Sequence, residues 1–191
     1  MPEIASPSQM YMLRPHLEGL PELALPAGFG LRTYRPGDEA AWARIMNHCI
    51  GRDWTTDRCR REMVENPAIP PDSFFFATRG DEPVGTACAQ IQPPGQRDLG
   101  TIHMVGVAPE CRGHGLGTLL TLAVLRWLAD QGFRRAQLST DDWRLPAIRT
   151  YLRLGLLPVL FDARHRARWQ AVCAQLGWPY RDDWPAAIHP P

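Results

Sequence analysis

The chain has no Cys-x-x-Cys pair, no apolar tract of membrane-spanning length and no excess of charge of either sign. Its five cysteines, Cys49, Cys59, Cys88, Cys111 and Cys173, are scattered and odd in number. That argues against a disulfide framework and against a zinc or other metal site, and it points to a reduced, cytoplasmic compartment. Lys and Arg total 21 against 20 for Asp and Glu, so no net field marks the chain as a nucleic-acid or anionic-membrane binder. No segment approaches the roughly 20 apolar residues of a membrane span. Met1-Pro2-Glu3 opens without the basic start and apolar run of a targeting segment. The expectation is a soluble cytoplasmic protein with no nucleic-acid, membrane or metal partner.

What is present is proline punctuation followed by strand and helix patterns. At 191 residues the chain suits one α/β domain with terminal extensions. Residues 1–28 carry Pro2, Pro7, Pro15, Pro21 and Pro26 and read as an irregular arm in which only Gln9 to Arg14 has strand character. Leu31 to Tyr34 alternates like a strand. Asp38 is a candidate N-cap for a helix over Glu39 to His48, with Ala40, Trp42, Ile45, Met46 and Cys49 on its apolar face. A second helix is expected over Thr56 to Asn66, stopped by Pro67. Phe74 to Thr78 and Val84 to Ile91 form a hairpin, with Pro93-Pro94-Gly95 ending its second strand.

Gly100 to Val107, Gly115 to Asp130 and Arg135 to Thr140 then read as strand, helix, strand. That is a βαβ unit and hence locally parallel. Pro146 suits the first turn of a helix ending at Leu154, with Gly155 as its stop. A strand over Leu157 to Phe161 and a final helix over Ala163 to Leu176 complete the pattern.

The chemistry concentrates in Val105-Gly106-Val107-Ala108-Pro109-Glu110-Cys111-Arg112-Gly113-His114-Gly115-Leu116-Gly117. A strand ends there, a glycine-rich turn follows and a helix begins. The first amides of a helix have no internal partners and sit at the positive end of its dipole, so they donate to anionic oxygens, and glycines let a ligand approach the backbone. A P-loop would need a lysine after its last glycine, but Thr118 follows Gly117. A dinucleotide fingerprint would need glycine at Thr118 or at Leu120. Both nucleotide readings fail.

Arginine, two residues, glycine, one residue, glycine (Arg112, Gly115, Gly117) resembles the cofactor motif of the GNAT superfamily of N-acetyltransferases. The order of elements from Gly30 to about Leu160 resembles that fold too. The resemblance implies an α/β GNAT acyl-CoA N-acyltransferase fold, a mixed central sheet flanked by helices. The N-terminal arm would span residues 1–28, the acetyltransferase domain 29–161 and a C-terminal helical extension 162–191. It implies acetyl-CoA as co-substrate, a small-molecule or peptide amine as acceptor, and a homodimer as one possible assembly. Arg112, Gly113, His114, Gly115, Leu116 and Gly117 would hold the coenzyme A pyrophosphate. The backbone of Val105, Gly106 and Val107 would pair with the pantetheine arm as an added strand.

Acyl transfer to an amine needs a neutral amine, a polarised thioester carbonyl and a proton for the leaving thiolate. By resemblance to the family helix beginning near Ala147, Tyr151 is the proton donor. A phenol near pKa 10 and a thiol near 8.5 share the proton almost evenly. Thr101 occupies the strand position that holds a glutamate base in some members. His103, two residues on and on the same strand face, is the candidate base, with Asp53 and Glu110 as alternatives. Arg144 stands where the family often has an asparagine, and Asp141, Asp142 and Trp143 are possible substitutes. The arginines of Arg164-His165-Arg166-Ala167-Arg168 are a solvated face or a clamp on an anionic group. The alternative to an enzyme is an acyl-CoA-binding sensor of the same fold.

Overall fold

The computed structural model describes residues 9–91 and 98–188. Pro2, Pro7 and the strand-ending Pro93-Pro94-Gly95 lie outside them. The chain divides into two compact units, one formed by His16–Ala136 and the other by Met1–Pro15 with Gln137–Pro191.

In the first unit β2 (Gly30–Thr33), β3 (Phe74–Arg79), β4 (Glu82–Gln90) and β5 (Leu99–Val107) are neighbours in that order, each pair antiparallel. The aromatic run Phe74-Phe75-Phe76 alternates as a strand should, with Phe74 and Phe76 fully inside. The hairpin turn at Gly80 has φ +57, a conformation glycine adopts without steric cost. Helix α1 (Glu39–Cys49) buries Trp42, Ala43, Ile45 and Met46. Ala43 replaces Ala40 on the expected apolar face, because Ala40 is exposed. Asp38 precedes α1 but makes no side-chain cap. Arg32 holds its carboxylate through two bonds of 2.6 and 2.8 Å, and the Arg35 N–H donates to it at 2.7 Å.

The expected second helix is shorter and irregular. α2 (Thr56–Cys59) is capped by Thr55, whose side chain accepts from the Arg58 N–H at 3.2 Å, and it continues into a π-helical turn over Arg60–Val64. Helix α3 (Leu116–Asp130) is buried along most of its length, as its nearly continuous apolar sequence requires. Strand β6 (Arg135–Thr140) begins in this unit, where the Arg135 N–H donates to the Asp98 carbonyl at 2.9 Å.

The second unit contains the rest of β6, then β1 (Met10–Arg14), α4 (Leu145–Arg153), β7 (Leu157–Pro158) and α5 (Ala163–Leu176), with strands in the order β6-β1-β7. The apolar stretch Met10-Tyr11-Met12-Leu13 pairs antiparallel with β7, Met12 opposite Pro158 and Leu13 opposite Leu157. The Val159 N–H extends the ladder to the Tyr11 carbonyl at 2.9 Å. Met10 and Met12 are fully buried and Leu13 nearly so. β7 spans Leu157–Pro158 rather than reaching Phe161. Helix α5 has the expected bounds, with Asp162 as a capping side chain on the His165 N–H at 2.8 Å and Gly177 at φ +61 as its stop.

Candidate active site

The turn between β5 and α3 takes the conformation its sequence asks for. Pro109–Cys111 forms one 3-10 turn, after which Gly113 and Gly115 adopt φ +82 and +78. Gly115 is the residue before α3, and the first helical bond is Leu119 N–H to Gly115 carbonyl at 3.0 Å. The amides of Leu116, Gly117 and Thr118 therefore precede the intrahelical ladder, at the positive end of a 15-residue helix. Gly113, His114 and Gly115 are exposed and Gly117 is half-exposed. The Arg112 N–H turns inward to the Pro109 carbonyl at 3.3 Å, so the outward run of amides begins at Gly113.

The side chain of Arg112 folds back under the turn. Its Nε donates to the Val107 carbonyl and one terminal nitrogen to the His48 carbonyl, both at 3.3 Å. Cys49 also donates its thiol to the Val107 carbonyl at 3.3 Å. These contacts with the end of α1 have no local signal in the sequence. Phe29 packs on the His114 ring, centroids 5.3 Å apart, and the Arg79 guanidinium lies over Phe29 at 5.6 Å. Arg79 also bonds the Cys111 sulfur. Turn, hairpin and the chain preceding β2 are thus tied together.

Strand β5 carries a bulge that the sequence does not announce. Gly106 opposes Thr86 and His103 opposes Cys88, so Met104 and Val105 together face Ala87, and Met104 has φ +52. The bulge reverses the facing of the strand. A Cβ built on Gly100 would run into Leu128 of α3, whereas one on Gly106 would meet Met46, Ile45 and Cys49 of α1. In a regular strand residues 100 and 106 would share a face. It follows that Thr101 and His103, one and three residues beyond Gly100, lie on the α1 side. His103 is half-buried, and burial holds its imidazole below the usual 6.5. The two buried thiols on this side of the unit, Cys59 and Cys88, are both pushed up by desolvation, Cys59 to about 12, and are poor nucleophiles.

Side-chain bonds and ring contacts tie down the connection between α1 and α2. Asn47 accepts from the Trp54 N–H and donates to the Trp54 carbonyl, both at 2.9 Å. The Trp54 ring stands edge-on to Trp42 at 5.2 Å and carries the Arg58 guanidinium 3.8 Å above it. Asp53 precedes it in a left-handed conformation, φ +68. Glu110 is exposed in the 3-10 turn.

In the second unit Tyr151 lies on α4 and is 7% exposed. Burial pushes its phenol up to about 12, against an opposing pull from Arg144. The near balance between a phenol at 10 and a thiol near 8.5 is thereby widened. Burial secures instead a hydroxyl that keeps its proton through neutral and mildly alkaline pH. Arg144 bonds Asp141 at 2.8 Å and lies 4.1 Å over the exposed Trp143 ring. Arg168 of α5 pairs with Asp142 at 3.1 Å.

Among the described residues no cluster of His, Cys, Asp or Glu could hold a metal ion, and no helix is long and apolar enough to cross a membrane. The five thiols are free.

The chain is 38% identical over 152 residues to a mycothiol acetyltransferase of Streptomyces bingchenggensis, covering 77% of this chain and 49% of that protein. It is 35% identical over 164 residues to a mycothiol acetyltransferase of Thermobispora bispora, covering 81% and 55%. The chain spans about half the length of the curated relatives it matches. A crystal structure of a GCN5-related N-acetyltransferase from Sphaerobacter thermophilus superposes with a TM-score of 0.63 at 27% identity, over 80% of this chain and 49% of that one. The model of the acetyltransferase (GNAT) family matches residues 40–156. The chain belongs to the acetyltransferase (GNAT) family and has its fold, a mixed sheet flanked by helices, with an N-terminal arm and a C-terminal helix.

Proposed function

We propose that this chain transfers the acetyl group of acetyl-CoA to a primary amine of a small-molecule or peptide acceptor, in a reducing, cytoplasmic compartment. The observation that carries the reading is Gly117. Gly113 and Gly115 are explained by their positive φ, but Gly117 has ordinary helical geometry and nothing within 4 Å of a built Cβ. A glycine in a helix costs about 1 kcal/mol relative to alanine, and nothing in the protein's own packing requires one here. Close approach of a ligand to the helix backbone does, and the neighbouring amides suit a pyrophosphate.

In this reading the turn from Arg112 to Gly117 binds the pyrophosphate, with amides from Gly113 onward as donors and Arg112 bracing the turn from below. The backbone of Val105, Gly106 and Val107 pairs with the pantetheine arm. Past the bulge at Met104 the strand still pairs with β4 on one side, through Gly106 and Val107. The Val107 carbonyl is already engaged by Arg112 and Cys49, so its N–H is the better donor to the ligand. His103 is the base that removes the amine proton. Its neutral imidazole, favoured by burial, is the form that accepts one. Tyr151 holds a proton at Oη for the departing sulfur. Residues 29–161 make up the catalytic domain, with 1–28 and 162–191 as its flanking segments.

The acceptor has a second, narrower reading in mycothiol chemistry, supported by the identity to two mycothiol acetyltransferases. The test is thiol release from acetyl-CoA with a panel of amines that includes the unacetylated amine form of mycothiol. Release above the hydrolytic background with at least one amine supports the transferase. Tight acetyl-CoA binding with no release from any amine would favour a sensor of the same fold.

A further inference from the structure

Helix α4, which carries Tyr151, ends in a cap built within its own unit. Gly155 has φ +78. The Gly155 N–H donates to the Leu152 carbonyl and the Leu156 N–H to the Tyr151 carbonyl, both at 3.0 Å. This is the paired pattern of a Schellman cap, and it places the Tyr151 backbone inside the cap. The Leu154 N–H is shared between the Thr150 and Tyr151 carbonyls at 3.1 Å. The Leu154 carbonyl faces out of the helix end and accepts from the guanidinium of Arg14, the last residue of β1.

Arg14 is 8% exposed, an unusual place for a guanidinium. A Cβ on Gly155 would overlap its Nη1. Glycine is therefore required at 155 for the backbone conformation and for the approach of Arg14. The strand delivering Arg14 is itself fixed to the chain just beyond the cap, through Leu13 opposite Leu157, Met12 opposite Pro158 and the bond from Val159 to Tyr11. β1 thus grips the exit of α4 at two places, by ladder pairing and by a cation at the negative end of the helix dipole.

We propose that Arg14 is a positioning residue for Tyr151: by capping the C-terminal turn of α4 it holds the phenolic oxygen at one place. This rests on the reading of Tyr151 as proton donor. A donor displaced by even about 1 Å loses much of its effect, up to about 100-fold in rate, while a ligand bound elsewhere on the protein is unaffected. The proposal also gives the N-terminal strand a catalytic use besides joining β6 to β7.

The test compares Arg14→Met, Arg14→Lys, Tyr151→Phe and the double variant Arg14→Met/Tyr151→Phe, assayed well below the melting temperature of each. Arg14→Met is expected to lower kcat about tenfold with KM for acetyl-CoA within about twofold. Arg14→Lys, which keeps a charged donor, is expected to recover most of the loss. In the Tyr151→Phe background Arg14→Met should change kcat by less than about twofold, because the group it positions is gone. A kcat unchanged by Arg14→Met in the Tyr151 enzyme, or an equal loss in both backgrounds, overturns the proposal while leaving the donor reading intact. A wild-type kcat for Tyr151→Phe overturns the donor reading and this proposal with it. If Arg14→Met does not fold, Arg14→Gln takes its place with the same expectations.

Discussion

Gly106 of β5 packs against the end of the Met46 side chain of α1, so closely that a Cβ at 106 would overlap Met46 Cε and stand 3.1 Å from Ile45 Cγ2 and 3.3 Å from Cys49 Cβ. Strand and helix are held together here because position 106 has no side chain. The same approach brings the Cys49 thiol to the Val107 carbonyl. Gly106→Ala is expected to destabilise the protein by about 1–3 kcal/mol through overpacking. In a Met46→Ala background the same change should cost much less, since the overlapping methyl is absent. Urea unfolding of the four proteins of this cycle measures the coupling, and additive costs would show that the contact is not what excludes a side chain at 106.

Gly117→Ala should move stability and binding in opposite directions. Replacing a glycine of ordinary helical φ by alanine, with open space around the new methyl, raises stability without ligand by about 0.4–1 kcal/mol. The methyl would stand where the pyrophosphate must approach, so the rise in melting temperature produced by acetyl-CoA should shrink or vanish. Two thermal melts, with and without acetyl-CoA, decide it. An undiminished ligand shift would remove the pyrophosphate assignment.

The pH dependence of kcat/KM should show the burial of His103. Desolvation disfavours the imidazolium and lowers its pKa, so the neutral, proton-accepting form persists below pH 6.5. Activity is then lost only as pH falls through that lowered value. The acid limb is expected below pH 6.5 and should disappear in His103→Asn, with a lower plateau. An unchanged acid limb in the variant would assign the base elsewhere, with Asp53 and Glu110 the next to test.

The turn and α3 were legible because each is fixed by residues adjacent in the chain: glycines at 113 and 115 and a continuous apolar run from Leu116. Met104 was not. A bulge made by a non-glycine residue at positive φ leaves no compositional mark, and it decides which face of β5 His103 occupies. The π-helical turn at Arg60–Val64 was hidden for a similar reason, since its sequence has the pattern of an ordinary helix. Arg14 on Leu154 and Arg112 on His48 join residues 140 and 64 positions apart. Such contacts follow from the tertiary fold and cannot be read from local spacing.

Tyr151→Phe is expected to lower turnover by about 100-fold or more, the usual contribution of general acid catalysis, with acetyl-CoA affinity nearly unchanged. The variant removes one oxygen from a 7% exposed ring and should keep the fold. Single-turnover rates at saturating acceptor, set beside calorimetric binding of acetyl-CoA, separate the two effects. A loss of only a few-fold would leave Tyr151 a core residue.

Removing residues 1–14 from this chain takes away β1, and three consequences should come together. The pairing with β7 is lost, the buried Met10, Met12 and Leu13 no longer contribute, and the Leu154 carbonyl loses Arg14. Burying one such apolar side chain stabilises by roughly 1.5–3 kcal/mol, so several kcal/mol are at stake. At about 2–4 °C per kcal/mol for a chain of this size, the melting temperature should fall by about 10 °C or more. Because β1 pairs with β7 of the same chain, sedimentation should show the same oligomeric state for the intact and the truncated chain. A truncated protein that falls from dimer to monomer would instead place β1 in a second subunit, exchanged between copies, and an unchanged melting temperature would show that β1 contributes nothing to stability.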